Sequence, residues 1–197
     1  MSFSAGLIDS VDNLQALKEA NLFTGLPDST GNLVFLKFLD ISYSNLSGLI
    51  PRSLGNLLQL TDLDLSINQL SGQIPRSLGN LLQLTDLNLH GNQLSGQIPL
   101  SILNLTQLEY LEIAENSLEG SIPDEETAFP NLISLDLSDN LLNGSLPSWW
   151  YTAPSLKHIC LSQNHLGTQA AALHPLAPQR TLNLTNSLPR LCWRSKF

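Results

Sequence analysis

Aliphatic residues fall in columns along this chain. They recur at Leu36, Leu60, Leu84, Leu108, Leu132 and Leu156, and again three positions on at Leu39, Leu63, Leu87, Leu111, Leu135 and Ile159. Two further columns, Ile41, Leu65, Leu89, Ile113, Leu137 and Leu161, then Leu46, Leu70, Leu94, Leu118, Leu142 and Leu166, keep the same 24-residue spacing. The two best copies are Leu60–Pro75, LTDLDLSINQLSGQIP, and Leu84–Pro99, LTDLNLHGNQLSGQIP. A fixed period in this range marks a stacked-repeat protein, in which each unit buries its apolar face only against its neighbours.

Within a unit, Leu63 and Leu65 stand two apart and so face one side of a strand, while Asp62, Asp64 and Ser66 face the other. One short strand per unit is predicted. The asparagines Asn68, Asn92, Asn116, Asn140 and Asn164 sit between leucines that must be buried, and a buried amide has to be hydrogen-bonded. They predict a structural ladder holding the turns that leave the strands. Ser44 occupies this column in the first firm unit and is too short for the whole task, which predicts a looser turn there.

Gly48, Gly72, Gly96, Gly120 and Gly144 follow, and then Pro51, Pro75, Pro99, Pro123 and Pro147. Glycine permits left-handed backbone and proline removes a donor, so extended or irregular chain is expected on the outer side. The return segment brings Leu54, Leu57, Leu78, Leu81, Ile102 and Leu105 back to the core, with Phe129 and Trp150 in the later units. Trp149 and Tyr151 are assigned to the same packing.

The register divides the chain into three parts. Residues 1–35 form a degenerate first repeat or N-terminal cap, with Leu17, Leu22, Leu26 and Pro27 in phase and a helix expected around Val11–Ala20. Residues 36–166 carry the 24-residue repeats. Beyond Leu166, Thr168, Ala170 and Ala171 break the pattern, and 167–197 is expected to be an irregular basic tail.

Charge narrows the choice of partners. The chain carries 17 acidic and 9 basic residues, a net charge of −8, which argues against nucleic acid, whose phosphates need a basic face. The four positive charges of Arg180, Arg190, Arg194 and Lys196 fall after the last acidic residue. Two cysteines, Cys160 and Cys192, are too few for a disulfide-built scaffold. The start MSFSAGLIDSVDNLQ lacks the basic patch and apolar run of a signal peptide, and no stretch of about 18 apolar residues suggests a membrane span.

The unit LxxLxLxxNxLxGxIP, nearly unbroken between Leu36 and Pro147, resembles the plant-type leucine-rich repeat of receptor-like kinases and receptor-like proteins. Phrases such as Leu135-Asp136-Leu137-Ser138 and Leu146-Pro147-Ser148-Trp149 are similar to receptor-like ectodomains in particular. The resemblance covers about residues 17 to 166. It implies an α/β-type repeat solenoid: a curved right-handed horseshoe with a concave parallel β-sheet and an irregular or 3-10 convex side. It also implies a non-catalytic module at the plant cell surface that recognises a protein or peptide ligand, and a co-receptor, in defence or development. The family's signal peptide, paired-cysteine cap and membrane helix do not occur in the chain, which points to a fragment. A soluble inhibitor similar to the leucine-rich-repeat inhibitors of polygalacturonases, or a non-functional truncation, is the alternative expectation.

Partners are expected on the outward strand positions. One column reads Phe38, Asp62, Asp86, Tyr110, Ser134 and His158. The next reads Asp40, Asp64, Asn88, Glu112, Asp136 and Cys160, and the third Ser42, Ser66, His90, Ala114, Ser138 and Ser162. From these, Phe38, Asp62, Asp64, Asp86, His90, Tyr110, Glu112, Asp136 and His158 are the candidate partner-binding residues, and the two aromatics weigh most because exposed rings carry interface energy. The acidic column is read either as a site for basic groups or as solvated carboxylates of a common strand.

No catalytic residue is expected. His158, Cys160 and Asp136 are neighbours on the face, but side chains two apart on a strand stand about 6–7 Å from each other, and no oxyanion site accompanies them. His90, Glu112, Asp136, His158 and Cys160 are too spread for a metal site, and no cofactor is expected. Cys160 is either a small residue tolerated in its column or a partner for Cys192. The sequons at Asn45, Asn104 and Asn143 are candidate glycosylation sites off the concave strands, with a fourth at Asn183.

Overall fold

A computed structural model describes residues 25–125, 128–167 and 192–194. The helix expected around Val11–Ala20 and the sequon at Asn183 lie outside these residues.

Each rung contributes two strands rather than the one expected. In chain order they are β1 (Phe38–Asp40) and β2 (Ser47–Leu49), β3 (Asp62–Asp64) and β4 (Gln69–Gly72), β5 (Asp86–Asn88) and β6 (Gln93–Gly96), β7 (Tyr110–Glu112) and β8 (Ser117–Ser121), β9 (Ser134–Asp136) and β10 (Leu141–Gly144), β11 (His158–Cys160) and β12 (His165–Leu166), and finally β13 (Cys192–Arg194). The odd-numbered strands form a seven-stranded sheet in the order β1-β3-β5-β7-β9-β11-β13, and the even-numbered ones a six-stranded sheet. Every described pairing is parallel except β11 with β13. The pairing registers Leu39 with Leu63 and Leu63 with Leu87, so the 24-residue period of the sequence becomes the stacking register of the first sheet.

The outer side is extended where the glycine column predicts it. Gly72 has φ 74°, a left-handed backbone that a side chain resists, and the other glycines of this column match it. Short 3-10 helices then return the chain at Asp28–Asn32, Arg52–Asn56, Arg76–Asn80 and Leu100–Asn104, each entered through the fixed φ of a proline. They stack so closely that a Cβ on Gly79 would stand 2.3 Å from the Ser101 carbonyl oxygen. In a later rung the helix α1 (Trp149–Thr152) takes over this role. Trp149 is fully buried, donates from Nε1 to the Pro123 carbonyl at 2.9 Å, and meets Phe129 edge-on at 5.2 Å. Trp149 and Trp150 belong to the core, as their place on the return segment indicates.

The aliphatic columns form one continuous core from Leu26 to Leu166. Between its leucines runs the asparagine ladder. Asn68 Oδ1 accepts from the Ser44 and Leu46 amides at 3.1 and 2.9 Å, while its Nδ2 donates back to the Ile41 carbonyl at 2.9 Å. Asn92, Asn116, Asn140 and Asn164 repeat the arrangement, each binding an amide and a carbonyl of the previous rung. Ser44 instead donates to the Ser42 carbonyl within its own turn. That turn carries two left-handed residues, Tyr43 and Asn45, where the following rungs carry one at the Ile67 position.

β13 pairs antiparallel along β11, placing Cys192 opposite Cys160. Cys160 is disulfide-bonded, and Cys192 is the one other cysteine in the chain. Part of 167–197 therefore covers the sheet edge that the last rung would leave open, which protects an otherwise unpaired strand.

Candidate functional site

Three strand residues per rung are too few to keep all three outward columns in water. The first column faces solvent, with Phe38 61% and Tyr110 37% exposed. The middle column, Asp40, Asp64, Asn88, Glu112 and Asp136, lies beside it in register. The third column turns inward: Ser42, Ser66, Ala114 and Ser138 are buried, against the expectation that they face a partner. His90 and Ser162 keep partial exposure there. The physical reason is that the strand ends two residues before this column, at Asp64 against Ser66, and the chain turns there through a left-handed residue, Ile67 with φ 50°.

The middle column makes that turn. Asp64 Oδ1 accepts from the Ser66 amide at 2.8 Å, Asp136 Oδ1 from Ser138 at 2.9 Å, Asp40 Oδ1 from Ser42 at 2.9 Å, and Asn88 Oδ1 from His90 at 3.0 Å. A side-chain oxygen that binds an amide two residues on is a local turn device. These carboxylates are thus neither freely solvated nor wholly available to a ligand, and the acidic stripe has a structural role that strand alternation alone does not reveal.

One groove of about 410 Å³ opens over β1, β3, β5 and β7. Its walls include Phe38, Asp40, Asp62, Asp64, Asp86, Asn88, Tyr110 and Glu112, and no basic residue. Along the first column the order is Phe38, Asp62, Asp86, Tyr110, so two carboxylates stand between two rings three strand spacings, about 14 Å, apart. Of the nine partner-binding candidates, six meet here. His90, Asp136 and His158 lie outside the groove, the last beside the covering strand β13.

Burial, with neighbouring like charge adding to it, alters two of the groove's acids. Burial pushes the Glu112 carboxyl above the ordinary glutamate value, and Asp136, Asp64 and Asp86 add to the rise while His90 opposes it. Burial likewise raises Asp86, the Thr85 hydrogen bond works against it, and Asp62 adds repulsion. A cation seated among them would relieve both effects.

Cys160 is in a disulfide and has no thiol to ionise. Among the described residues no group of three His, Cys, Asp or Glu side chains is placed to hold a metal ion, and no helix is long and apolar enough to cross a membrane. Of the sequons, Asn45, Asn104 and Asn143 are exposed and lie off the groove strands, Asn45 accepting a hydrogen bond from Gln69.

The fold is a repeat scaffold with a groove over one sheet. Models of the leucine-rich repeat match residues 35–57, 59–81 and 83–105, and a second such model matches 106–166. A plant peptide hormone receptor, RGFR1, solved in complex with RGF2, is 38% identical with a TM-score of 0.70, over 72% of this chain and 23% of the receptor chain. The ectodomain of the receptor kinase SOBIR1 from Arabidopsis thaliana is 30% identical with a TM-score of 0.58, over 66% of this chain and 68% of that one. A plant ice-binding protein is 35% identical with a TM-score of 0.58, over 66% of this chain and 42% of its own. No curated protein sequence matches the chain. The chain belongs to the leucine-rich repeat family, in the form found in plant receptor ectodomains, and spans about a quarter of the peptide receptor it matches.

Proposed function

We propose that this chain is a non-catalytic recognition module of a plant cell-surface receptor, and that the groove over β1–β7 takes a basic segment of a peptide or protein ligand. The ice-binding relative is a reminder that the fold hosts other tasks, so the proposal rests on the groove. The observation that carries it is the run Phe38, Asp62, Asp86, Tyr110: carboxylates bracketed by exposed rings, with no basic residue lining the groove. A lysine or arginine side chain would pair with the acids and lay its methylenes or its charge on a ring face. RGFR1, which was solved with RGF2, supports a peptide as the ligand class. The Cys160 disulfide supports an oxidising, extracellular setting, since cytosolic thiols stay reduced. Glycosylation at Asn45, Asn104 and Asn143, and a co-receptor, would complete the receptor reading.

The test is retention of peptides on the immobilised chain. Peptides pairing lysine or arginine with an apolar residue should be retained, and their glutamine counterparts should not. Equal retention of both sets would end the proposal.

A further inference from the structure

Outside the concave groove, the chain's few basic residues are unevenly placed. The described residues include five, Lys37, Arg52, Arg76, Lys157 and Arg194. Two of these, Arg52 and Arg76, open consecutive 3-10 helices one rung apart and line a single groove of about 1120 Å³ on the outer side of the coil. Their backbones are pinned: Ser77 Oγ donates to the Arg52 carbonyl at 2.7 Å and Ser101 Oγ to the Arg76 carbonyl at 2.8 Å. Among the described residues neither guanidinium has an ion-pair or hydrogen-bond partner. The rest of the wall mixes apolar residues, among them Leu26, Leu49 and Ile74, with Gln73, Ser77 and one carboxylate, Asp28, which opens the preceding 3-10 helix; Leu49 is 66% exposed. In a chain of net charge −8, two unpaired arginines on neighbouring rungs against the single carboxylate of Asp28 leave this groove net positive.

We infer that this groove is a second docking site, which takes an extended acidic segment of a partner protein with carboxylates two residues apart. Residues two apart in an extended chain present side chains on one side about 6.6–6.8 Å apart. Arg52 and Arg76 are rooted on neighbouring rungs, their side chains are long enough to meet carboxylates at that spacing, and a guanidinium binds a carboxylate as a fork. An apolar neighbour of the acids would seat on Leu49. An acidic polysaccharide fits less well, because sugar rings are commonly gripped by aromatic faces and no aromatic lines this groove. The site lies on the opposite side of the coil from the concave groove and stands or falls apart from it.

The test uses the full chain and fluorescence anisotropy with a labelled peptide that carries two glutamates two residues apart, flanked by leucines. Its glutamine counterpart should bind about tenfold more weakly. Arg52→Glu and Arg76→Glu should each weaken the glutamate peptide by about fivefold or more, and added salt should do the same. Arg52→Gln and Arg76→Gln provide a milder pair, and unchanged melting curves establish that the variants fold. Basic peptides should bind these variants as well as they bind the original chain. Three results would overturn the inference. One is equal binding of the two peptides or no effect of the charge reversals. Another is uptake of oligogalacturonate in place of the peptide. The third is charge-sensitive self-association in sedimentation, which would put a second copy in the groove.

Discussion

Asn92 ties its own rung to the one before: its Nδ2 donates to the Leu65 carbonyl at 3.0 Å, and its Oδ1 accepts from the Leu70 amide at 3.0 Å. Both partners belong to buried leucines that have no water to turn to. Asn92→Leu takes the Asn92 acceptor from the Leu70 amide, at about 1–3 kcal/mol for the buried group, and one of two donors from the Leu65 carbonyl, which keeps Asn68 Nδ2 at 3.0 Å. Asp64→Ala removes the acceptor of the Ser66 amide and a long bond from Asn88 Nδ2 at 3.4 Å, both part-buried, and should cost about 0.5–1.5 kcal/mol. Thermal melts should therefore rank Asn92→Leu well below Asp64→Ala, with both below the parent. Equal melting temperatures for the two variants would refute the ladder.

Ile67 holds a left-handed backbone, φ 50°, where the next rung has Gly91. For a β-branched residue that conformation costs about 1–2 kcal/mol, whereas asparagine tolerates it. Ile67→Asn should raise the midpoint of urea unfolding by a gain on the order of 1 kcal/mol, less whatever contact Ile67 makes with Gly91. A lower midpoint would mean that this contact outweighs the backbone strain.

The raised carboxyls of Glu112 and Asp86 give stability a definite pH slope. In the window between the ordinary carboxylate value and the raised one, the folded chain holds more protons than the unfolded chain, so these groups lower stability as pH rises through it. Glu112→Gln and Asp86→Asn should raise the melting temperature at about pH 7 and lose that advantage near pH 4. A basic ligand should reverse the shift, with proton release on binding measurable by calorimetry in buffers of different ionisation enthalpy.

Cys160 anchors β13 against the last rung. Cys160→Ser, or reduction, should destabilise the C-terminal end by about 2–4 kcal/mol and uncover an open strand edge. Light scattering should then rise with reductant in the parent chain but not further in Cys160→Ser.

The columns of the sequence carry the fold because every rung repeats one burial problem, so Leu60, Leu84 and Leu108 report the same place in space. Other features escape that logic. The second sheet is hidden because Gln69-Leu70-Ser71 offers a single aliphatic residue, too short an alternation to signal a strand. Alternation points Ser66 and Ala114 outward, yet the chain leaves the strand before reaching them. Asp64 reads as a free carboxylate because its bond to the Ser66 amide is set by the turn, not by residue type. The pairing of Cys160 with β13 bridges a stretch with no periodicity to read. Phe38 and Tyr110 are legible because a large ring in an outward column gains nothing from the core and stays exposed.

The proposed recognition face is tested at Tyr110 and Glu112, which stand on one strand of the groove. Recovery of bound partner from plant extracellular fluid should be compared between the parent chain and the Tyr110→Ala, Glu112→Lys double variant, with melting curves showing that both are folded. The parent should retain the partner and the variant should lose it. Unchanged recovery by the variant would remove both residues from the binding surface and with them the groove as the site of recognition.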